Sequence, residues 1–241
     1  MRTALITDCH REVSKAIAVR LSKLGSNLVV CDPCPDQIKK LTAEVSGPVH
    51  GITIDAINLP NVRSAVAEAL QHFGSIDILI NSFRGSEAKA IANLSEQDWS
   101  STITNDLNPA FYFLKEVIPV MRDNKYGRVV NLGKLEYLGL AGSANIAAVH
   151  ASFFGLNRSI ALEVAGDNIT VNMVVEGDIL DQSTSEEDRE TIAGRIPVRR
   201  TGTPDDLAHA VEFFSSDNTG YVTGQTFFVC GGKSAYFSLS V

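Results

Sequence analysis

Short apolar segments alternate with amphipathic helical patterns along the chain, and this alternation limits the possible folds more than any other feature. Residues 4–6 form one such segment, and the pattern after it places Val13, Ile17 and Leu21 on one helical stripe that ends at Gly25. Strict alternation of strands and helices predicts a parallel sheet with helices on both faces. The predicted fold class is therefore α/β, with a doubly wound parallel sheet. The predicted strands are residues 4–6, 27–31, 50–54, 76–80, 128–132, 170–175 and 225–229.

Helical patterns fill the intervals between these strands. The fourth predicted helix carries Pro109 in its interior, and Ser185 begins an acidic, solvated helix within residues 181–190. Residues 203–206, TPDD, combine an N-cap, a proline at the first helical position and two acids in the first turn. No repeat or linker interrupts the pattern, so we expect a single domain over residues 1–241. The predicted helices cover residues 13–24, 35–45, 61–73, 102–122, 145–165 and a segment that starts at 203.

Charge and composition exclude several functions. The net charge is -7, and the sequence shows no basic patch of the kind that nucleic-acid binding needs. No apolar run approaches the roughly 18 residues that span a bilayer. The first residues already have a strand pattern and leave no room for a signal peptide, so we expect a cytoplasmic protein. Its four cysteines are then expected to be thiols or metal ligands.

Several strings along the chain resemble the short-chain dehydrogenase/reductase family, in the order and spacing of that family. The resemblance covers essentially the whole chain and implies a Rossmann-like fold, an NAD cofactor and hydride transfer. Because one fold hosts many functions, the site residues have to be compared one by one. The matching strings are FGSIDILIN at 73–81, GRVVN at 127–131, GLNRSIALE at 155–163, TGTPDDL at 201–207, YVTGQ at 221–225 and GG at 231–232.

The loop after the first strand lacks the glycines on which the family relies. Members resemble T-G-x-x-x-G-x-G there, since glycine lets backbone N–H groups approach the diphosphate. Here Asp8, Glu12 and Ser14 stand at those three positions. A carboxylate about 5 Å from a phosphate costs roughly 3 kcal/mol at an effective dielectric near 20, which Arg11 and Lys15 only partly offset. The sequence therefore predicts that no dinucleotide cofactor binds.

Other positions around the expected nucleotide site give mixed signals. Asp32 and Asp55 match acids with which NAD-dependent members hold the adenosine, so they resemble relics of a nucleotide-binding ancestor. Both are equally common as turn residues at strand ends. Phe83 and Arg84 replace the small residues of the family's N-N-A-G string, where the cofactor passes.

The family's proton-transfer residues are also replaced. The resemblance places Lys134 at the serine, Ile146 at the tyrosine, His150 at the lysine and Asp106 at the asparagine. Isoleucine has no exchangeable proton, so the ordinary reaction lacks its general acid and base. Glu176 stands where the family has a proline. No catalytic residue of the usual kind is predicted.

Two alternative sites remain open at the sequence level. Lys134 and His150, with Asp106, Glu136 and Tyr137 around the same cleft, suit a cofactor-independent lyase or isomerase, although a pocket filled by mutually paired residues is favoured. Three thiols and an imidazole also suit a structural zinc ion. Free cysteines are more often simply buried in a core, so no metal is predicted. The residues of this second candidate are Cys9, His10, Cys31 and Cys34.

The parts of the sequence that keep the family pattern belong to the scaffold and to assembly surfaces. The resemblance implies that the helices at 102–122 and 145–165 pack on those of a neighbour as a four-helix bundle, and that the last strand and tail form a second interface. It further implies a non-catalytic subunit in a heterotetrameric dehydrogenase of the hydroxyacyl-CoA type, with an active paralogue as partner. A homo-oligomeric regulator is the alternative. Core packing is the competing explanation for the apolar residues of the two helices. The apolar residues expected on these surfaces are Phe111, Phe113, Leu114, Phe153, Phe154, Leu156 and Ile160, then Phe227, Phe228, Tyr236 and Phe237.

Overall fold

A computed structural model describes residues 1–54, 57–180 and 184–237, the last of these without its side chain. Seven parallel strands form one sheet in the order β3-β2-β1-β4-β5-β6-β7, which confirms the predicted α/β fold class. The strands lie within one or two residues of the predicted segments, except that β5 and β6 are longer. Their bounds are β1 Thr3–Thr7, β2 Asn27–Asp32, β3 Val49–Thr53, β4 Ile78–Asn81, β5 Gly127–Lys134, β6 Ile169–Glu176 and β7 Thr226–Val229.

Helices cover both faces of this sheet. Helices α1, α2 and α8 share one hydrophobic core, while α3, α5 and α6 share the other. The helices are α1 Glu12–Lys23, α2 Pro35–Glu44, α3 Leu59–Phe73, α4 Glu96–Thr102, α5 Asn108–Asp123, α6 Ala144–Val164, α7 Glu186–Gly194, α8 Pro204–Ser215 and α9 Lys233–Phe237.

The two cores follow directly from the alternation of side chains along each strand. In β1, Ala4 and Ile6 contribute to the core under α1 and α8, whereas Leu5 contributes to the core under α3 and α5. Successive side chains of a strand point to opposite faces, so a strand that is covered on both sides must be apolar throughout. This is why the strands read as continuous apolar runs in the sequence.

The predicted helix at 102–122 differs from the observed structure. Helix α4 ends at Thr102, a π-helical turn covers Ile103–Leu107, and α5 begins at Asn108. Pro109 therefore lies in the first turn of α5 and not in a helix interior. A proline is tolerated there because the first N–H groups of a helix have no intrahelical acceptor.

The acidic helix begins where the sequence predicts. Ser185 caps α7 by accepting a hydrogen bond from the Asp188 N–H, and none of the side chains of α7 is buried. Residues 181–183, which belong to the same predicted segment, lie outside the described residues. Within the part of the chain that the structure describes, no helix is long and apolar enough to cross a membrane.

Two glycines with opposite surroundings test this packing. A Cβ at Gly177 would lie 2.7 Å from the backbone Cα of Cys230, whereas a Cβ at Gly155, inside α6, would meet nothing within 4 Å. We expect Gly177→Ala to lower the free energy of unfolding by about 1–3 kcal/mol through overpacking. Gly155→Ala should raise it by about 1 kcal/mol, because alanine is the better helix former. Urea denaturation of both variants measures the difference, and equal effects of the two substitutions would contradict the packing described here.

Candidate functional site

The strand order reverses between β1 and β4, and open α/β sheets bind their ligands in the crevice at such a point, beyond the carboxyl ends of the strands. In this chain, hydrogen bonds bridge that crevice. The Ser82 N–H donates to Thr7 Oγ1 at 2.9 Å, and the Ser14 and Ser82 hydroxyls lie 2.9 Å apart. All three residues are buried, so they tie the end of β4 to the end of β1 and to the start of α1.

Asp8 follows β1 at the position of the family's first glycine. Its φ of 54° lies in the left-handed region, which among residues with a side chain Asp and Asn tolerate best. Its N–H donates to the Cys31 carbonyl at 2.9 Å, and its Oδ1 accepts from the His10 N–H at 3.0 Å. Burial raises the pKa of the Asp8 carboxyl, although the nearby Arg84 guanidinium acts in the opposite direction.

Glu12 and Ser14, at the other two glycine positions, differ in their surroundings. Glu12 is exposed and pairs with Lys15 at 2.6 Å on the first turn of α1. The Glu12 carboxylate is therefore exposed to solvent and partly neutralised by Lys15, so it should repel a diphosphate less than the sequence predicts. Ser14 is fully buried and engaged with Ser82. Of the two acids predicted to repel a diphosphate, only Asp8 is buried at the crevice.

Asp32, at the end of β2, has a structural role in this chain. Its carboxylate accepts hydrogen bonds from the N–H groups of Cys9, at 3.1 Å, and Cys34, at 2.7 Å. The Arg84 guanidinium lies 3.5 Å from Asp32 and 3.8 Å from Asp8, so one cation neutralises both acids in part. A pocket of about 340 Å³ lies beside this group of three charges. Asp55, the second proposed relic, lies outside the described residues.

An ion pair between Arg11 and Glu176 extends over the carboxyl ends of the central strands. Arg11 directly precedes α1, and Glu176 ends β6, three strands away from β1 at roughly 4.8 Å per strand. The Arg11 guanidinium also lies 4.3 Å from the ring centroid of Phe83, which is buried beneath it. Burial raises the pKa of Glu176, while Arg11 and Lys134 lower it. The Phe83 ring and this ion pair occupy the middle of the crevice.

His150 packs against the other side of Phe83. The two rings lie 4.5 Å apart in an edge-to-face arrangement, and within the described residues neither ring nitrogen of His150 has a hydrogen-bond partner. Burial lowers the pKa of His150 to about 3, and the charges of Lys134 and Arg11 act in the same direction. The Lys134 amine lies 5.8 Å from the Phe83 ring centroid. Lys134 and His150 therefore contact the same ring and share no hydrogen bond, while Ile146 is buried on the same helix as His150.

Asp106 and Asn145 hold the segment after β4 in place. Asp106 accepts hydrogen bonds from the N–H groups of Gly85, at 3.1 Å, and Ser86, at 2.9 Å. The Asn145 side-chain amide donates to the Glu87 carbonyl at 2.9 Å. Because Phe83 and Arg84 precede these anchored residues directly, the anchors fix both side chains at the crevice.

The remaining members of the proposed acid–base group lie farther out. The Tyr137 ring stacks on Phe228 of β7, with 5.9 Å between the ring centroids. Burial raises the pKa of Tyr137. Burial raises the pKa of Glu176, and the negative charge of the nearby Glu136 acts in the same direction. Of the five residues proposed for acid–base chemistry, Lys134 and His150 share Phe83 as a neighbour, whereas Asp106 and Tyr137 contact other residues.

The cysteines at the ends of β1 and β2 do not build a metal centre in this structure. No group of three or more His, Cys, Asp or Glu side chains that could hold a metal ion occurs within residues 1–54, 57–180 and 184–237. Cys9 and Cys31 are buried, and burial raises the pKa of the Cys9 thiol to about 12. A thiol has to lose its proton to bind zinc, so this environment disfavours coordination.

Sequence reasoning found the changed residues but missed their pairing. From the sequence, Arg11 is only a cation beside the loop, and Glu176 is only a residue that replaces the family's proline. In the structure they form one ion pair, although 165 positions separate them in the sequence. The role of Asn145 was missed altogether. The signal available in the sequence was that Arg11 and Glu176 carry opposite charges, which by itself does not show that the two side chains are in contact.

The fold is Rossmann-like, with one seven-stranded parallel sheet and helices around it, and the comparisons identify its class. The profile of the family described as enoyl-(acyl carrier protein) reductase matches residues 10–234. The chain belongs to the short-chain dehydrogenase/reductase family.

Individual relatives match over nearly their full length. The chain is 40% identical to the (2S)-[(R)-hydroxy(phenyl)methyl]succinyl-CoA dehydrogenase subunit BbsC of Thauera aromatica, covering 100% of this chain and 97% of the relative. It is 34% identical to subunit BbsD of the same organism's enzyme, covering 98% of this chain and 97% of that relative. Among solved structures, a levodione reductase superposes with a TM-score of 0.91 at 25% identity, covering 97% of this chain and 98% of the other.

The burial of His150 predicts a defined pH dependence of stability. Its pKa of about 3 in the folded chain lies below the ordinary value of 6.5, so unfolding takes up a proton between these two pH values. Stability from this group is complete above pH 6.5 and falls as the pH drops through that window. Between pH 7.5 and pH 5 we expect His150 to contribute a loss of about 2 kcal/mol, measured as the difference between the pH profiles of the wild type and His150→Gln.

Urea denaturation at several pH values measures this loss. The matched control is His209→Gln, because His209 is exposed and should leave the pH profile unchanged. Parallel profiles of the wild type and His150→Gln would show that His150 is accessible to protons in the folded protein.

Proposed function

We propose that this chain is a non-catalytic subunit that assembles with an active, NAD-dependent member of its own family. The complex is a heterotetrameric dehydrogenase of the hydroxyacyl-CoA type, and this chain binds no dinucleotide within it. One observation carries the proposal: the Phe83 ring and the Arg11–Glu176 ion pair occupy part of the crevice at the reversal of strand order. The space that remains, a pocket of about 340 Å³, is lined by the carboxylates of Asp8 and Asp32. The role of the subunit is to stabilise the complex or shape the partner's substrate pocket.

The residues of the crevice do not fit a dinucleotide. The Phe83 ring lies between Arg11 and His150, and the Arg11–Glu176 pair closes the space above it. A ligand that entered here would have to separate a buried ion pair, and each charge left unpaired in a buried place costs several kcal/mol. It would also have to displace a phenyl ring that is already buried. Asp8 adds a carboxylate beside the path of the diphosphate.

The same residues do not supply the chemistry of hydride and proton transfer. A general acid needs a pKa near the working pH and access to the substrate. His150 has a pKa of about 3 and is buried, and Ile146 carries no proton. Asp106 is committed to two backbone N–H groups. This arrangement supports a subunit without an active site of its own.

Two similar proteins support assembly with a paralogue. BbsC and BbsD are named as subunits of one dehydrogenase, and this chain is similar to both over nearly its whole length. Two subunits of one family in one enzyme are the arrangement that we propose for this chain. The substrate of the proposed complex is then a hydroxyacyl-CoA thioester, by analogy with the activity in those names.

Two surfaces of the chain suit such an assembly. One lies on α5 and α6 and exposes Phe111 and Phe154, and the other includes the free edge of β7, where Phe227 is exposed. The expectation that Phe113, Leu114 and Phe153 also form the first surface is wrong, because all three are buried in the cores of the chain itself. The spacing of these residues along the helices does not show whether their side chains face solvent or the core.

Dinucleotide titration tests the cofactor claim. Calorimetric titration of the purified chain with NADH and NADPH should show no saturation up to about 1 mM. Phe83→Ala removes the ring from the crevice and leaves Arg84 beside Asp8 and Asp32, so it should strengthen binding at least about tenfold. Phe213→Ala makes the same change at an exposed position and should have no effect. Saturation of the unmodified chain at low micromolar NADH would falsify the proposal.

Native purification tests the assembly claim. The chain, purified from its source without overexpression, should co-elute with a second family member that carries the catalytic Ser, Tyr, Lys and Asn. Intact-mass spectrometry identifies both chains and their ratio. The catalytic residues of the dehydrogenase should all belong to the second chain, so turnover by this polypeptide in isolation counts against the proposal.

A further inference from the structure

A pocket of about 340 Å³ lies between the carboxyl ends of β1 and β2 and the first turns of α5, and we call it the β2 pocket. Ligand pockets in proteins begin at roughly 300 Å³, so this one has room for a small organic molecule. Thr104 and Asn105 line it and are exposed, so the pocket opens to solvent on that side. The lining residues that decide its chemistry are Asp8, Cys31, Asp32, Ile54, Arg84 and Phe113.

One wall of the β2 pocket is apolar. Ile54, Pro109 and Phe113 line it and are buried, and Ile57 adds a half-buried side chain. Burial raises the pKa of the Cys31 thiol, so this group remains uncharged beside them. A hydrated inorganic ion would make no favourable contact with such a wall. The wall suits a ligand that has an apolar body.

Two buried carboxylates, Asp8 and Asp32, form the opposite wall. The side chain of Asp8 is 6% exposed, and that of Asp32 is fully buried. Asp8 Oδ1 accepts a hydrogen bond from the His10 N–H, whereas Asp8 Oδ2 has no hydrogen-bond partner within the described residues. A buried carboxylate oxygen without a donor is costly. A ligand that donates a hydrogen bond to Asp8 Oδ2 would remove this cost.

Arg84 compensates the two carboxylates only in part. Its Nε lies 3.8 Å from Asp8 Oδ2, and its Nη2 lies 3.5 Å from Asp32 Oδ1. Both distances exceed the about 2.7–2.9 Å of a hydrogen bond between a cation and a carboxylate. The Arg84 side chain is 45% exposed, so its guanidinium can turn to solvent and give way to another cation. Among these three groups one negative charge remains in excess.

The charge and shape of the β2 pocket exclude inorganic ions as its ligand. An anion would be repelled by the carboxylates of Asp8 and Asp32. Across residues 1–54, 57–180 and 184–237, no three His, Cys, Asp or Glu side chains are placed to share a metal ion. The remaining class of ligand that matches both walls is an organic cation.

A neutral nucleoside is the alternative, because Asp32 matches an acid that holds adenosine in the family. In this chain, however, the Asp32 oxygens already accept hydrogen bonds from the N–H groups of Cys9 and Cys34. A neutral ligand would also leave the excess negative charge uncompensated. The charges therefore favour a cation over a nucleoside.

We propose that the β2 pocket binds a small organic monocation. An ammonium or amidinium group takes the place of the Arg84 guanidinium and donates a hydrogen bond to Asp8 Oδ2. A compact apolar body lies against Ile54 and Phe113. Such a site goes beyond the proposed function, because it requires neither a partner subunit nor a reaction.

Three probes of nearly the same shape test the charge requirement by calorimetric titration of the purified full chain. Benzylammonium is a cation, benzyl alcohol is neutral and benzoate is an anion. Benzylammonium should saturate the chain with a dissociation constant of about 1 mM or lower. Benzyl alcohol should bind at least about tenfold more weakly, and benzoate should show no saturation, because only the cation compensates the carboxylates.

Two substitutions should change benzylammonium binding in opposite directions. Asp8→Asn keeps the shape of the side chain and suits the left-handed backbone, but it removes the charge and should weaken binding at least about tenfold. Arg84→Gln removes the competing cation and should strengthen binding at least about threefold. Asp123→Asn removes an exposed carboxylate at the other end of α5 and should have no effect. Damage to the fold would weaken binding in both lining variants, so the opposite signs identify an effect of charge.

The probe series on the unmodified chain remains decisive if a variant folds poorly. Equal binding of the three probes, or no saturation by benzylammonium up to about 20 mM, overturns the inference. Tighter binding of adenosine than of benzylammonium also overturns it, because the pocket would then be a nucleoside site.

These outcomes are distinguishable from a failure of the cofactor claim. Saturable NADH binding by a chain that also prefers benzylammonium would overturn the proposed function and leave the cation site standing. A chain that binds neither NADH nor benzylammonium would overturn only the cation site.

Discussion

The ion pair between Arg11 and Glu176 constrains the crevice more than any other interaction. It joins the start of α1 to the end of β6, across the carboxyl ends of β4 and β5. Either charge alone would be costly in this buried place, so each residue is stable only in the presence of the other. Phe83 lies under the pair and is held by it, and the packing of His150 against Phe83 follows from that position.

The other replacements around the crevice form a connected set. Arg84 lies between Asp8 and Asp32, Asp106 anchors the backbone just beyond Arg84, and Asn145 anchors Glu87. The set is not fully satisfied, because within the described residues neither ring nitrogen of His150 and not every polar atom of Arg11 and Glu176 has a hydrogen-bond partner. Around these residues the sheet keeps the strand order of an open parallel α/β fold.

The alternating pattern of the sequence was enough to predict the sheet, because strands covered on both faces must be apolar along their length. The same pattern did not predict which helical residues are exposed, because an apolar stripe on a helix can face either the core or a partner. Phe113 and Phe153 follow the same helical spacing as Phe111 and Phe154, yet the former are buried and the latter exposed. Glu12 was predicted to repel a diphosphate, but a residue's position in a loop does not fix whether its side chain turns to solvent. The Arg11–Glu176 ion pair could not be predicted from the sequence, because no local pattern links two residues so far apart in the chain.

The left-handed backbone of Asp8 shows that the shape of this loop does not depend on glycine. The hydrogen bond from the Asp8 N–H to the Cys31 carbonyl continues the ladder between β1 and β2 and directs the chain into the bend. The bend is thus imposed by the neighbouring strand, and an aspartate can occupy it at modest conformational cost. Backbone shape and charge are therefore separable in this loop, because a residue with a carboxylate occupies a left-handed position that ordinarily favours glycine.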